Sequence, residues 1–445
     1  MLCKERAYAA IDLVLEETRG FDTRVVVQGG TEALTRVANS EIHQNVQSTG
    51  LGVTVVITRG GKRSAITTEL LTKEELRRAA REAIDNLEHL PEGEEQPPLV
   101  ETPSGIEALD LDDELERQYS VENRARLVAQ NLTTLKQGYR AFGALAYKVN
   151  LLALGNSRGI RRLVMNNSVE FKALVASEEG GTGYAEARSG RAGALDIPSA
   201  FARAYSRARL NRDPADLEPR PYTVILEPLA VGDILTFLAY MGFSGKSVQD
   251  RSSFLTGRMG QNVFDEKVTI VDDYTDCSVN PLPFDFEGTP RQKVAIIEKG
   301  VAKGLTHDLT SALKEGVEST GHALLASGVA ALPLNLVMAG GEQSLEEIIA
   351  GTVDGLLVTR FNYMNPVNSR SAQLTALTRD GLFRVKEGKI AGAVKNMRFT
   401  ESMLNAFNSV EAVSKERERT GLFGMGTSHV PALKVTGFPF TGKSA

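Results

Sequence analysis

The sequence predicts an α+β protein, with an N-terminal α/β region of sheets covered by helices and a strand-rich C-terminal domain. In the first half of the 445 residues, strand-like runs alternate with segments whose apolar residues recur at helical spacing. The second half consists mostly of strand-like runs and turns. Residues 211–221 (NRDPADLEPRP), with three prolines and several charges, separate the halves. We therefore predict an N-terminal domain of residues 1–211, a linker of residues 212–221 and a C-terminal domain of residues 222–445.

Two successive groups of strands, each accompanied by helices, make up the predicted N-terminal domain and suggest two similar α/β layers. A T-x-x-E capping box at Thr72 and Glu75 begins one helix, and Val121 begins the predicted buried side of another. Residues 90–105 (LPEGEEQPPLVETPSG) are rich in Pro and Glu and are interpreted as a surface excursion. The predicted helices are 4–17, 72–87, 121–135 and 198–209; the predicted strands are 23–28, 33–38, 52–59, 62–68, 139–154, 160–165 and 169–177, with a turn at 166–168 between the last two.

A helix near the start of the C-terminal domain is the stretch around which the chain is organised. The predicted helix runs from about Ala230 to Gly242. Its apolar residues Ile234, Leu235, Leu238 and Met241 recur at offsets 0, +1, +4 and +7, which places them on one side of the helix. Residues 244–247 (SGKS) then predict a flexible polar turn. The other predicted elements are hairpins at 293–305 and 382–394, a helix with a capping box at Ser344 and Glu347, and strands at 356–360 and 431–440.

Composition and charge exclude several classes of protein. The chain has 42% hydrophobic residues, enough for substantial cores, and a formal charge of −5, which argues against direct nucleic-acid binding. The N-terminus lacks the pattern of a signal peptide, and no run approaches the roughly 18 uninterrupted apolar residues of a membrane span, so we expect a cytoplasmic protein without a membrane segment. Cys3 and Cys277 are the only cysteines, which makes a disulfide framework implausible.

Three motifs carry a resemblance to a known family. They are SGKSVQDRSSFLTGRMG at residues 244–260, FDFEGTP at 284–290 and STGHA at 319–323. With these motifs the chain resembles the TldD/PmbA family, once described as modulators of DNA gyrase and now regarded as metallopeptidases. The resemblance covers most of the chain and is strongest over residues 227–323. It implies two domains that pack as a dimer around an enclosed chamber, in which the active complex cleaves unfolded or flexible peptides.

The residues that hold zinc in the catalytic branch of this family are replaced here. That branch, TldD, carries H-E-x-x-x-H on the helix, binds zinc with the two His and a distant Cys, and uses the Glu as general base. The register of the motifs places Thr236, Phe237 and Met241 at these positions, and none of these side chains can do that work. Residues 421–428 (GLFGMGTS) also lack a Cys. The resemblance therefore implies the PmbA branch, also called TldE, with no metal in this chain and zinc in a TldD-like partner.

Four residues in polar turns are candidates for a peptide-binding groove. Glu287 precedes Gly-Thr-Pro in a turn that could present a carboxylate or backbone amides, although the turn could equally be only structural. His322 belongs to STGHA, and its alternative role is that of a hydrogen-bonded loop residue. Asn156 and Ser157 lie in a turn resembling the family motif N-S-x-G, where a hairpin also needs a polar turn. Asn39-Ser40 is a weaker case of the same kind.

Other polar clusters favour ordinary structural roles. No two of the five histidines lie at a local zinc-binding spacing; a site assembled from His307, His322 and Cys277 remains open. The acidic stretch at residues 271–277 (VDDYTDC) lacks the Gly and terminal Glu of a calcium loop, which favours a solvated turn. The basic run at residues 203–212 favours a solvated helix face.

Three functions are compatible with these observations. The first is the metal-free subunit that pairs with a TldD-like chain, shapes the chamber and binds peptide backbone as an added strand. The second is a self-sufficient homodimeric hydrolase with a relocated metal site or a mechanism without metal. The third, a regulator that binds topoisomerase or DNA, rests only on the older family name.

Overall fold

Two β-sheets with helices packed against them form the framework of the protein in a computed structural model, which describes residues 3–91, 93, 96–101, 105–276, 279–325, 331–422, 424 and 426–443. Over these residues the first half of the chain contributes a sheet of seven strands and the second half a sheet of eleven. The α+β class and the strand-rich second half are confirmed. In the described part of the chain, no helix is both long and apolar enough to cross a membrane.

Long antiparallel strands dominate the N-terminal half. Its elements are α1 (Lys4–Glu17), β1 (Asp22–Ala38), β2 (Glu41–Arg59), β3 (Lys62–Thr68), α2 (Lys73–His89), β4 (Ile106–Asp110), α3 (Asp113–Gln118), α4 (Val121–Leu132), β5 (Tyr139–Asn156), β6 (Arg161–Ser177), β7 (Thr182–Ser189) and α5 (Ile197–Leu210). The strand order is β3-β2-β1-β5-β6-β4, with β7 beside β6. Among these described strands, only β4 pairs in parallel, with β6.

The helices of this half cover one face of the sheet. Side chains alternate between the two faces of a strand, and Val25 and Val53 pack in one core with α1 and α2. Further along the same strands, Ala33 and Leu145 pack in another core with α4 and α5. The opposite face, which carries Val26, is turned towards the second half of the chain. The two predicted α/β layers are therefore two parts of one continuous sheet.

Two strand breaks predicted in this half are wrong. The predicted strands 23–28 and 33–38 form the single strand β1, and β6 runs without interruption through the predicted turn at residues 166–168. The turn prediction treats asparagines as loop formers. In the structure Asn167 faces the loop between β4 and α3, where its Nδ2 donates to Asp112 O at 2.8 Å and its Oδ1 accepts the Asp112 N–H at 2.9 Å. These side chains link elements instead of reversing the chain.

The buried side of α4 is also different from the prediction. Val121 is 38% exposed, whereas Arg124 is 1% exposed. Arg124 is tolerated there because Nη1 donates to Tyr119 O at 2.7 Å and Nε donates to Thr35 Oγ1 at 3.2 Å. A buried arginine is invisible to a pattern of apolar residues. Three elements of the N-terminal half are not predicted from the sequence, namely β4, α3 and β7.

The second half surrounds the predicted central helix with strands. Its elements are β8 (Pro221–Leu226), α6 (Pro228–Gly242), α7 (Gly245–Gln249), β9 (Ile270–Asp272), β10 (Val294–Glu298), β11 (Val301–Ala302), α8 (Leu309–Glu315), β12 (Leu336–Met338), α9 (Leu345–Ala350), β13 (Asp354–Asn368), β14 (Gln373–Lys386), β15 (Lys389–Ala393), β16 (Met397–Ser402), α10 (Met403–Asn408), β17 (Val410–Leu422) and β18 (Gly426–Lys443). The strand order is β11-β10-β9-β12-β18-β16-β14-β13-β8, with β15 beside β14 and β17 beside β18.

The central helix α6 lies inside the main core, as its apolar spacing predicts. Ile234, Leu235 and Leu238 are fully buried, and Met241 is 2% exposed. The hairpins at residues 298–300 and 386–388 and the capping box at Ser344 are confirmed as well.

The polar turn predicted after this helix is wrong. Ser244 is the N-cap of α7, and its Oγ accepts the Ser247 N–H at 3.1 Å. A Cβ on Gly245 would lie 2.0 Å from His307 Cε1, so the segment packs tightly against its neighbour. A Ser-Gly-Lys-Ser sequence is typical of a helix cap as well as of a turn, and tertiary packing selects the cap.

Residues 211–220 connect the two sheets. Within this connection Ala215 forms a bridge to Val394. The division into two domains at this segment stays a prediction.

Candidate functional site

Residues 279–290 of the second half pack against the face of the N-terminal sheet that lacks helices. Phe284 joins an apolar cluster with Val26 of that face. Gly288 follows with a φ of +88°, and a Cβ there would lie 2.5 Å from Ile160 Cδ1. Only glycine fits this close approach. The FDFEGTP turn therefore docks the two halves, and a cavity lies on either side of it.

The larger cavity has a volume of about 840 Å³ and lies between the sheet and the second half. On the sheet side the lining includes Gly29, Gly50 and Gly52. A Cβ on Gly29 would lie 2.2 Å from Gly50 O of the neighbouring strand, whereas a Cβ on Gly50 would have no heavy atom within 4 Å, so Gly50 leaves space for the approach of a ligand or another chain. The opposite wall includes Gly424, just before β18, and Gly426, the first residue of that strand. We call this cavity the groove.

Amide, charged and apolar side chains line the rest of the groove, and the apolar ones include Leu151, Leu282 and Phe286. Asn150 Nδ2 donates to Asn166 Oδ1 at 3.1 Å and to Asn280 Oδ1 at 3.0 Å. Arg188 Nη2 donates to Glu170 Oε1 at 2.7 Å. The described lining contains no His or Cys. Such a surface offers hydrogen bonds to a polar chain without supplying a set of zinc ligands.

Glu287 faces the second cavity, which has a volume of about 490 Å³. Its Oε1 lies 3.6 Å from Arg24 Nη1, and its Oε2 accepts the Leu309 N–H at 2.9 Å. Burial raises the pKa of Glu287 to about 7; the charge of Arg24 opposes this rise and that of Asp285 adds to it. The carboxyl is thus poised to change its charge near neutral pH.

Asn156 and Ser157 are not part of the described lining of this cavity, and their side chains are engaged in the turn. Asn156 pairs with Arg24 across β1 and β5. Its Oδ1 accepts the N–H groups of Arg158 and Ile160, and its Nδ2 donates to a backbone carbonyl at 2.8 Å. Ser157 Oγ accepts the Thr23 N–H at 3.1 Å. A contact of either residue with peptide stays a prediction. Asn39 and Ser40 form the tight turn between β1 and β2, both with positive φ.

His322 is buried in a hydrogen-bonded array of side chains. Burial lowers its pKa, so the imidazole is neutral, and Nε2 donates to Asp272 Oδ1 at 2.9 Å. Nδ1 then accepts the Thr320 hydroxyl at 2.9 Å. Thr320 Oγ1 also accepts the His307 N–H at 2.7 Å. This array joins β9 to two loops, and contact of His322 with substrate stays a prediction.

The solvated turn predicted for the acidic stretch is wrong for its first two acidic residues. Asp272 and Asp273 are 0% and 6% exposed. Asp272 accepts bonds from His322 and from the Asn335 N–H, and lies 3.4 Å from Arg291. These partners offset the desolvation of the carboxylate and hold its pKa below the usual range.

Of the zinc site left open between His307, His322 and Cys277, the residue Cys277 lies outside the described residues. Among the described residues, no group of three or more His, Cys, Asp or Glu is arranged to hold a metal ion.

The three positions that correspond to zinc ligands and base lie on α6, apart from the groove lining. Thr236 Oγ1 donates to Gly232 O of the same helix at 2.9 Å. Phe237 packs against the main core, and the Met241 side chain is inside it. A hydroxyl used within the helix, a phenyl ring and a buried thioether do not form a zinc site. One turn from Phe237, Asp233 accepts the Phe361 N–H at 3.1 Å, and burial raises its pKa to about 7.

Sequence reasoning missed Arg24, the pairing of Asp272 with His322, and the groove. The groove had a signal, because Gly29-Gly30 and Gly50-Leu51-Gly52 interrupt strand-like runs, and glycine inside a strand often marks a close approach. The pairing of Asp272 with His322 joins residues 50 positions apart and had no local signal.

Comparison with known proteins identifies the family of this chain. Residues 219–442 match the profile described as PmbA/TldA metallopeptidase C-terminal domain, and residues 23–87 match PmbA/TldA metallopeptidase domain 1. The chain belongs to the PmbA/TldD metallopeptidase family. The family resemblance carried by the sequence motifs is thereby confirmed.

Individual members of the PmbA/TldD family align over different lengths. An uncharacterised protein of Methanocaldococcus jannaschii is 29% identical over 56% of this chain and 59% of its own length. A Metalloprotease TldD homolog of Buchnera aphidicola is 30% identical over 43% of this chain and 40% of its own length. The chain thus spans about half of these relatives. Metalloprotease PmbA of Escherichia coli O157:H7 is 23% identical over 98% of this chain and 96% of its own length.

A solved structure of the same family has the same fold. TldE from Thermococcus kodakarensis superposes with a TM-score of 0.87 at 18% identity, covering 98% of this chain and all of that chain. The TldD/PmbA-like fold expected from the sequence is confirmed.

Proposed function

We propose that this chain is the subunit of a TldD/PmbA-type metallopeptidase that does not bind the metal, and that it pairs with a TldD-like subunit carrying zinc. The observation that carries the proposal is the donor set of α6, in which Thr236 is bonded to its own helix and Met241 is 2% exposed. Similarity to PmbA over nearly the full length and the fold of TldE support assignment to this branch.

We further propose that the groove receives an extended peptide. Glycine backbone on one side and asparagine amides on another suit a chain recognised through its own backbone. The edge of β2 supports the same idea. β3 pairs with β2 only from Val53 onwards, so the described residues leave one edge of β2 before Val53 without a partner strand. That free edge reaches the groove at Thr49 and Gly50, where a peptide can add as a strand.

The test compares three preparations: this chain alone, a TldD-like subunit alone, and the two combined. We expect chelator-sensitive cleavage of an unfolded polypeptide to be highest in the combined sample and absent from this chain alone. Zinc content is measured on each purified preparation. The matched control is a TldD-like subunit with its metal-binding histidines replaced, which abolishes activity of the combined sample.

Two outcomes distinguish this proposal from its alternative. Stoichiometric zinc and chelator-sensitive cleavage by this chain alone would establish the self-sufficient homodimer. Cleavage only in the combined sample, together with co-elution of the two chains, supports the partner role.

A further inference from the structure

The second cavity is bounded by two arginines from the N-terminal sheet. Arg24 of β1 is 6% exposed, and its buried Nε has no hydrogen-bond partner among the described residues. Arg63 of β3 lines the same cavity, and the described residues place no carboxylate within ion-pairing distance of it. Burial lowers the pKa of Arg63, the nearby charge of Arg24 lowers it further, and the charge of Glu287 opposes this shift. Two partly desolvated cations therefore converge on one space.

The acidic residues around this cavity are mostly committed elsewhere. Asp22 Oδ1 accepts a bond from Arg158 at 2.9 Å, and Asp250 pairs with Lys246 at 2.5 Å. Asp308 caps α8 by accepting the Ser311 N–H at 2.7 Å. Glu287 is left as the carboxylate facing both arginines, at 3.6 Å from Arg24. That distance is too long for a hydrogen bond, so the guanidinium of Arg24 retains donors for another acceptor.

We propose that this cavity is a binding site for a small oxyanion, a carboxylate or phosphate group, held by the guanidinium groups of Arg24 and Arg63. A guanidinium presents parallel N–H groups that match two oxygens of such an anion. The volume of about 490 Å³ admits a group larger than a water molecule. Glu287 competes with the anion for Arg24, because both carry negative charge. The site is separate from the groove, since the two cavities share no lining residue in the described part of the chain.

Binding is tested on the full-length protein by isothermal titration calorimetry with three probes. Inorganic phosphate and N-acetylglycine carry the two kinds of oxyanion, and N-acetylglycinamide is the uncharged control. We expect saturable binding of at least one anion and none of the amide. Phosphate alone indicates a phosphoryl ligand, N-acetylglycine alone indicates a carboxylate such as a peptide terminus, and both indicate a general oxyanion site. No saturable binding of either anion overturns the proposal, as does equal binding of the amide.

Two variants locate the binding in this cavity. Arg63→Gln should weaken anion binding about tenfold or more, since it removes a charge and keeps the polar character of the side chain. Glu287→Gln should strengthen binding several-fold at pH 8 and flatten its dependence on pH, because the competing charge is gone. Lys246, Lys314, Asp22, Asp250 and Asp308 also face the cavity and stay unchanged in both variants. Stronger binding by the Glu287→Gln variant cannot result from unfolding, because an unfolded protein would lose the site.

The control variant is Arg117→Gln on α3, which removes one charge from an exposed pair with Glu114 and should leave anion binding unchanged. Binding that is insensitive to both Arg63→Gln and Glu287→Gln places the anion elsewhere and overturns the proposal.

Discussion

Glu287 couples the stability of the protein to pH. Its folded pKa is about 7, against an ordinary value of 4.5. A carboxyl whose pKa is raised on folding stabilises the protein below its unfolded pKa, and this contribution is lost as the pH rises through the folded value. We therefore expect stability to fall between about pH 4.5 and pH 7. Asp233, with a pKa raised from 3.8 to about 7, acts in the same direction.

The variant Glu287→Gln tests this prediction. The amide imitates the protonated carboxyl, so the variant should equal the parent protein near pH 5 and exceed it near pH 8, by up to about 3 kcal/mol. Thermal unfolding midpoints at the two pH values are the measurement. Glu88→Gln, at an exposed position of α2, is the control and should change neither midpoint. A Glu287→Gln protein with the parent's full dependence on pH would contradict the assignment.

Sequence reasoning fails for residues whose decisive contacts are with residues far away in the sequence. Local turn chemistry singles out Asn156, Ser157 and Glu287, of which Glu287 lines the second cavity and Asn156 pairs with Arg24 of its lining. It does not single out their neighbour Arg24, because a charge within the run TRVVV looks like an ordinary strand residue. Burial and charge compensation depend on contacts such as Arg24 with Glu287, which no local pattern encodes.

At the scale of elements, Met241 of α6 packs in the main core and Thr236 bonds within the helix, at positions that the family resemblance assigns to zinc ligands. Met241→Ala should lower the free energy of unfolding by about 2–5 kcal/mol, since it empties space in the main core. Thr236→Ala should cost less than about 1 kcal/mol, because it removes only a bond within the helix. Denaturant unfolding measures both effects. The zinc content of each variant, measured in parallel, should equal that of the parent protein. A stoichiometric loss of zinc in either variant would show that these positions contribute to a metal site.

Helices and strands are predicted correctly where the spacing of apolar residues in the sequence matches the side of the element that is buried. The helix from Ala230 to Gly242 is recognisable because its apolar spacing continues through three turns. The turn predicted at residues 166–168 fails because Asn166 and Asn167 lie inside a long strand and bond to other elements. Propensity is a weak guide where a side chain has a partner distant in sequence. The same reason explains Arg124 on the buried side of α4.

At the scale of the whole molecule, the contact between the two sheets produces both cavities. Neither half alone contains the groove, whose lining includes β1, β2 and β5 on one side and Phe286 and Leu334 on the other. Charged pairs tie the halves together elsewhere, including Arg203 with Glu418 at 2.5 Å. The sequence indicates two regions, but how their surfaces meet depends on many contacts between distant segments. For this reason the shape and the lining of the groove are visible only in the structure.

The groove offers a direct test of the proposed peptide path. Gly50 lines the groove, and a Cβ added to it would have no neighbouring heavy atom within 4 Å. Gly50→Leu should therefore fold normally and fill space that a peptide would occupy. We expect chelator-sensitive cleavage by the complex with a TldD-like subunit to fall about tenfold, equivalent to about 1.4 kcal/mol. Unchanged unfolding midpoints and co-elution with the partner would exclude a folding or assembly defect.

The matched control is Gln44→Leu, which adds an apolar side chain at an exposed position of the same strand outside the groove lining. It should leave cleavage unchanged, because the two substitutions differ chiefly in whether the new side chain enters the groove. Full activity of Gly50→Leu in an assembled complex would mean that peptide does not pass over this part of the sheet. Equal loss in both variants would instead point to β2 as a surface that contacts the partner subunit, since both positions share that strand and only one lines the groove.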